Sequence, residues 1–230
     1  MKYTPSALVS EFSGAQGSTV ASHNRFGPYF RNRTIPVNPN TADQQVERNN
    51  LAAYAAAWRG LTDAQRTAWN TAALGVTLYD RLGRAYNPTG QQYFISVNRT
   101  QFVYSGSATV QTALPSATPV TSPASITPDA VVGTNTFEVA YTATPLPAST
   151  KALIECTRQL SPGINFVSRS EYRSVFVTAA AAASPADIHA AYVAKFGAMV
   201  AGNKVFVRVT FIASDGRRSQ PLSTSIIIAA

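Results

Sequence analysis

A single cysteine, Cys156, stands in 230 residues, and the only histidines are His23 and His189. One thiol excludes an internal disulfide and any zinc site built on cysteines, so the fold has to hold in a reducing compartment. Cys156 lies in the apolar run Ala152-Leu-Ile-Glu-Cys-Thr157, a setting for a buried structural thiol, with a reactive nucleophile as the alternative. Neither histidine belongs to a His-Glu-x-x-His motif, and the chain has no Gly-x-Ser-x-Gly turn. His189 is expected on a helix as a surface or partly packed residue. The eleven acidic residues are scattered, without the paired carboxylates that hold a hard cation. Ser13-Gly-Ala-Gln-Gly-Ser18 lacks the Lys-Ser/Thr ending of a phosphate loop. The residues therefore point to no catalytic group, no metal and no cofactor.

Charge is scarce as well. Only 13 % of the residues are charged, against about a quarter in an average protein. The balance is nonetheless basic, at +8, with +5 on residues 1–110 and +3 on residues 111–230. Only four of the nineteen basic residues are lysine, whereas a dedicated nucleic-acid binder clusters its lysines. Arginine favours planar, stacked and bidentate contacts, which suit protein interfaces as well as phosphates. No apolar run approaches the roughly 18 residues of a membrane span, and the first ten residues lack the apolar stretch of about seven that a signal peptide needs. The expectation is synthesis in the cytoplasm, with no membrane partner. Low charge with abundant Ala, Thr, Ser and Val suits a chain that covers much of its surface with other subunits, a homo-oligomer among them.

What is present divides the chain. Residues 105–128 carry no charge and four prolines, and read as an extended linker or edge segment. Upstream the pattern is helical. Thr41 is placed to cap a helix with Leu51, Tyr54, Trp58 and Leu61 on its buried stripe, and Thr62-Asp-Ala-Gln65 has the capping-box form for a second helix carrying Trp69 before Gly75. Trp58 and Trp69 then join the two helices as core residues. Asp80-Arg-Leu-Gly-Arg84 reads as a turn, and Thr89–Asn98 as a third helix presenting Tyr93, Phe94 and Val97, with a strand as the alternative. Downstream, 136–142, 151–157, 172–178, 205–213 and 223–228 read as strands, and Asp215-Gly216 as a hairpin turn into the last one. Ser184–Asp187 is placed to cap a helix carrying Ile188, Tyr192 and Phe196 and ending at Gly197. The expected fold is α+β: a small helical N-terminal module with an extended arm, followed by an antiparallel β-sandwich with one inserted helix. Its parts are an arm or hairpin (1–40), a helical anchoring module (41–104), the linker (105–128) and the sandwich (129–230).

The strip from Arg25 to Thr41 alternates arginine with aromatic residues and then passes through Pro36 and Pro39, which cannot join the interior of a sheet or helix. Arg25, Phe26, Tyr29, Phe30, Arg31, Arg33 and Ile35 are the candidate partner-binding residues. Two readings stand: a basic edge hairpin resting on its own domain, and an arm that docks on a neighbouring subunit.

The run Gly27–Arg48, followed by Trp58–Trp69, resembles a module of proteins encoded by tailed phages and prophages, over residues 14–102. The second half resembles a fibronectin type III or immunoglobulin-like sandwich in its Pro-rich entry and its closing Gly216-x-x-Ser219, departing from it at the inserted helix. The resemblance implies a non-enzymatic virion protein, capsid- or tail-associated, whose partners are other virion proteins. It supplies no catalytic residue. Two alternatives remain: a basic accessory protein pairing Arg25, Arg31, Arg33 and Arg48 with the phosphates of nucleic acid, and an adhesin for carbohydrate or a host surface using sandwich loops and exposed tyrosines.

Overall fold

The computed structural model describes residues 12–24, 27–79 and 84–230, with the side chains of Asn24 and Tyr79 left aside. The chain falls into two compact units, Met1–Gln45 and Val46–Ala230. Arg25, Phe26 and most of the expected Asp80–Arg84 turn lie outside the described residues.

In the first unit, β1 (Gly14–Gln16), β2 (Thr19–Asn24) and β3 (Gly27–Asn32) form an antiparallel sheet in the order β1-β2-β3. Gly17 takes a φ of 59° in the two-residue turn that joins β1 to β2, the left-handed geometry such hairpins require. Residues 33–41 have no regular secondary structure and are exposed throughout.

Helix α1 (Ala42–Gly60) opens where expected, with the Gln44 N–H donating to Thr41 Oγ1 at 3.4 Å, and the boundary between the units falls inside it. Its buried stripe differs from the expected one. Leu51 is 54 % exposed, and Asn50 is buried together with Tyr54. Polar Asn50 shares the inward face with Tyr54 and Leu61, while Leu51 is turned away by one residue's rotation. Helix α2 (Asp63–Leu74) has the full capping box, Gln65 N–H to Thr62 Oγ1 and Thr62 N–H to Gln65 Oε1. Helix α3 (Gly90–Ser105) has the same device from Thr89 and Gln92, which resolves the helix-or-strand ambiguity of this segment. Tyr54, Leu61, Trp69, Phe94 and Val97 form the helical core, with Trp58 packed against it. Trp69 meets Phe94 edge-on at 5.2 Å. The α2–α3 approach depends on Gly90, because a Cβ there would stand 2.8 Å from the Asn70 backbone nitrogen.

A two-residue pair, β4 (Leu78–Tyr79) and β5 (Ala85–Tyr86), precedes α3. The remaining strands are β6 (Ser125–Val131), β7 (Thr136–Thr142), β8 (Thr150–Cys156), β9 (Arg173–Val177), β10 (Ala186–Asp187), β11 (Lys204–Ala213) and β12 (Leu222–Ile227). They make two antiparallel sheets, β10-β7-β6 and β12-β11-β8-β9. Inward residues of both sheets share one core: Phe137, Val139 and Tyr141 from the first, Ile154, Val205, Val207 and Phe211 from the second. The fold is thus α+β, with helices in the N-terminal part and an antiparallel sandwich after them.

Two further local features differ from the sequence reading. The inserted helix, α4 (His189–Phe196), starts later than Ser184, because Ala186 and Asp187 are taken by pairing with Val139 and Glu138 of β7. Ile188 is its N-cap residue, and Asp187, one residue earlier, accepts from the His189 backbone N–H through Oδ1 at 2.9 Å. Strand β6 begins at Ser125, inside the stretch read as linker. Its Pro128 is tolerated because β6 is an edge strand.

The uncharged segment before β6 is pinned by side chains. Asn98 clamps Gln111, accepting from its N–H at 2.7 Å and donating to its carbonyl at 3.1 Å, and Trp69 Nε1 donates to the Thr112 carbonyl at 3.0 Å. Asp215 Oδ2 accepts from the Ser116 N–H at 3.1 Å, and Val120 packs on the sandwich core. Helix α3 lies against β11. Gly216, at φ 84°, meets Val97 so closely that a Cβ would stand 2.5 Å from its carbonyl oxygen, and Arg218 Nε donates to Thr100 Oγ1 at 2.5 Å.

Candidate docking surface

The hairpin of β2 and β3 determines where the strip residues point. Tyr29 is paired with Ser22, Phe30 with Ala21, Arg31 with Val20 and Asn32 with Thr19. Because strand side chains alternate, Tyr29 and Arg31 share one face of the sheet and Phe30 lies on the other. The sequence reads as one adhesive strip, and the pleat divides it into two. Phe30 has Phe12 as an aromatic neighbour, ring centroids 6.1 Å apart and tilted by 44°. Arg33 extends the pairing by one bond, its N–H donating to the Ser18 carbonyl at 2.7 Å. Ile35 lies past the strand in the extended segment and is 75 % exposed. Val37, not singled out in the sequence, is 89 % exposed. The signal for it was its i+2 spacing from Ile35, between the two prolines.

Burial on this unit is incomplete. Tyr29 and Phe30 are half-buried, Arg31 and Arg33 are exposed, and no described residue from 12 to 45 is fully buried. Residues 12–42 contain arginines at 25, 31 and 33 and no acidic residue. Among the described residues there are four ion pairs, Arg66–Asp63, Arg99–Glu47, Arg208–Glu155 and Arg217–Asp215, and none uses Arg31 or Arg33. The surface therefore offers aromatic area and arginine donors from a thin sheet, with its positive charge unneutralised by neighbouring carboxylates in sequence.

Elsewhere several titratable groups are buried or hydrogen-bonded. Cys156 is buried, and burial first, then the neighbouring Glu155, pushes its thiol well above the ordinary range. Burial of this kind favours the neutral thiol, which packs as a small apolar side chain. Burial raises Tyr192 too, and its hydroxyl donates to the Thr157 carbonyl at 3.2 Å. His189 is half-buried at the start of α4. Asn98, part of an Asn-x-Thr triplet, is fully buried and hydrogen-bonded through both ends of its amide. Among the described residues no group of three or more His, Cys, Asp or Glu side chains is placed to hold a metal ion, and no helix is long and apolar enough to cross a membrane. No protein-family model, curated protein or solved structure matches the chain.

Proposed function

We propose that this chain is a non-enzymatic structural protein of a tailed-phage virion, capsid- or tail-associated, that anchors through residues 12–41 and displays the sandwich. The observation that carries the reading is the state of the N-terminal sheet: three short strands, aromatic residues on one strand, and no fully buried side chain among the described residues of the unit. A small sheet gains stability chiefly by burying a face. Exposed Ile35 and Val37 add apolar surface that favours removal from water. A neighbouring subunit would supply what is lacking, with Tyr29 and Phe30 as aromatic anchors and Arg31 and Arg33 as interface donors. The sandwich part of the reading is supported by strand order. In chain order, its first, second and fifth strands form one sheet, and the third, fourth, sixth and seventh the other. Seven strands over two antiparallel sheets is an immunoglobulin-like count.

Deleting residues 12–41 from the chain during phage production tests this directly. Particles purified from that strain should lack the chain while those with the full-length protein carry it; equal incorporation contradicts the proposal. The acid-free arginine stretch also favours a second reading, contact with nucleic acid. In that case binding to duplex DNA falls steeply between low and moderate salt and is lost in the R31Q/R33Q variant.

A further inference from the structure

On the outer face of the four-stranded sheet, an open groove of about 340 Å³ lies between β11, β12 and the loop leading to β9. Its walls combine Phe166, Tyr172 and Phe206 with the polar side chains of Asn165, Ser223 and Ser225, and no carboxylate lines it. The floor is firm: Phe206 is buried with Leu160 and Val167 in a small cluster of its own, and Tyr172 packs against it. The rim is not. Phe166 is 84 % exposed, the most exposed aromatic ring on the sandwich, with nothing folded over it to remove its apolar surface from water.

Two cations border these rings in different states. Arg208 lies over the Tyr172 ring at 4.4 Å, and its charge is engaged by Glu155 at 2.8 Å. Lys204 stands 5.4 Å from the Phe206 ring centroid, and its ammonium donates to the neutral Asn165 Oδ1 at 3.1 Å. The groove therefore has an open aromatic face at Phe166 and several hydroxyl and amide groups, and beside its Asn165 wall stands one ammonium, that of Lys204, with no carboxylate partner among the described residues. A sugar ring has the matching chemistry, with an apolar C–H face and a rim of hydroxyls. Its anionic form adds the carboxylate that Lys204 lacks. The volume is at the small end of the roughly 300–1,000 Å³ typical of ligand clefts, room for one or two sugar rings.

We propose that this groove is a binding site for an acidic saccharide, a uronate ring resting on the exposed Phe166 with its carboxylate at Lys204. The site is independent of the N-terminal sheet and of any role in assembly. Saturation-transfer difference NMR on the full-length chain, with glucuronate and glucose as probes, tests it. Glucuronate should receive saturation with a dissociation constant in the millimolar range and bind more tightly than glucose. Phe166→Ala should weaken glucuronate at least about fivefold through loss of the stacking face. Lys204→Gln should bring glucuronate down to the level of glucose. Phe166 contributes to no core cluster, so its variant should melt at the wild-type temperature, which keeps the result interpretable. No transfer to glucuronate, transfer unchanged in the Phe166 variant, or preference for glucose overturns the assignment.

Discussion

Single residues fix the geometry of this molecule at places where a side chain, or its absence, leaves no alternative. Gly216 combines a left-handed φ of 84° with a close approach to the Val97 backbone, so Gly216→Ala meets both backbone strain and a clash. The expected loss is about 2–3 kcal/mol, read as a shifted urea midpoint; a loss under about 0.5 kcal/mol contradicts the close packing of α3 on this turn. Beside it, burial works to raise the Asp215 pKa. The Arg217 side chain and the backbone N–H groups of Ser116 and Arg217 outweigh that and hold it below its ordinary 3.8. A depressed folded-state pKa gives stability that is complete above the ordinary value and is lost as pH falls through the depressed one. Asp215→Asn should therefore be less stable than wild type at neutral pH and lose less on acidification to pH values below the ordinary carboxylate range, about 4. Parallel acid losses in urea titrations of the two proteins would count against the Asp215–Ser116–Arg217 network.

Among the elements, the helices were legible and the first strand of the sandwich was not, and the reason is locality. Thr62 with Gln65 is a signal contained in four residues, and the structure forms it bond for bond. Thr89 and Gln92 carry the same signal, and it decides α3. Strand β6 is hidden because its first four residues, Ser125–Pro128, belong to the 105–128 stretch whose prolines and missing charge read as a spacer. Its pairing with β7 becomes evident only once the edge position is known. The start of α4 differs from the sequence expectation for a related reason: Ser184-Pro-Ala-Asp looks like a cap locally, while the pairing of Ala186 and Asp187 with β7 is a long-range contact. Asn98 shows the same limit. Nothing in its neighbourhood of sequence says that it holds Gln111, thirteen residues on. Asn98→Ala removes both clamp bonds and the bond to the Phe94 carbonyl, and should cost about 2–3 kcal/mol. Hydrogen exchange checks it locally: the Gln111 amide should be protected in the wild type and exchange quickly in the variant. Unchanged protection would mean that the segment is held by something else.

For the whole molecule, composition and the change of class across residues 105–128 suffice for α+β, whereas the order of strands in the two sheets, set by pairings far apart in the chain, cannot be read from them. At the candidate surface, the residue types of the strip were legible but their distribution was not. The pleat of β3 sends Tyr29 and Arg31 to one side and Phe30 to the other, so the unit offers two faces instead of one. A partner that engages only one face would leave either Phe30 or Tyr29 uncovered. The proposal therefore expects the sheet to be held in a cleft or clasped between two neighbours, with the extended segment from Arg33 to Thr41 running along one of them. The most direct measurement is a cryo-EM reconstruction of the particle at side-chain resolution. The prediction is density for this chain with Tyr29, Phe30, Arg31 and Ile35 in contact with another subunit and the sandwich facing outward. A particle without the chain, or one that carries it with residues 27–41 free in solvent, contradicts the assembly role.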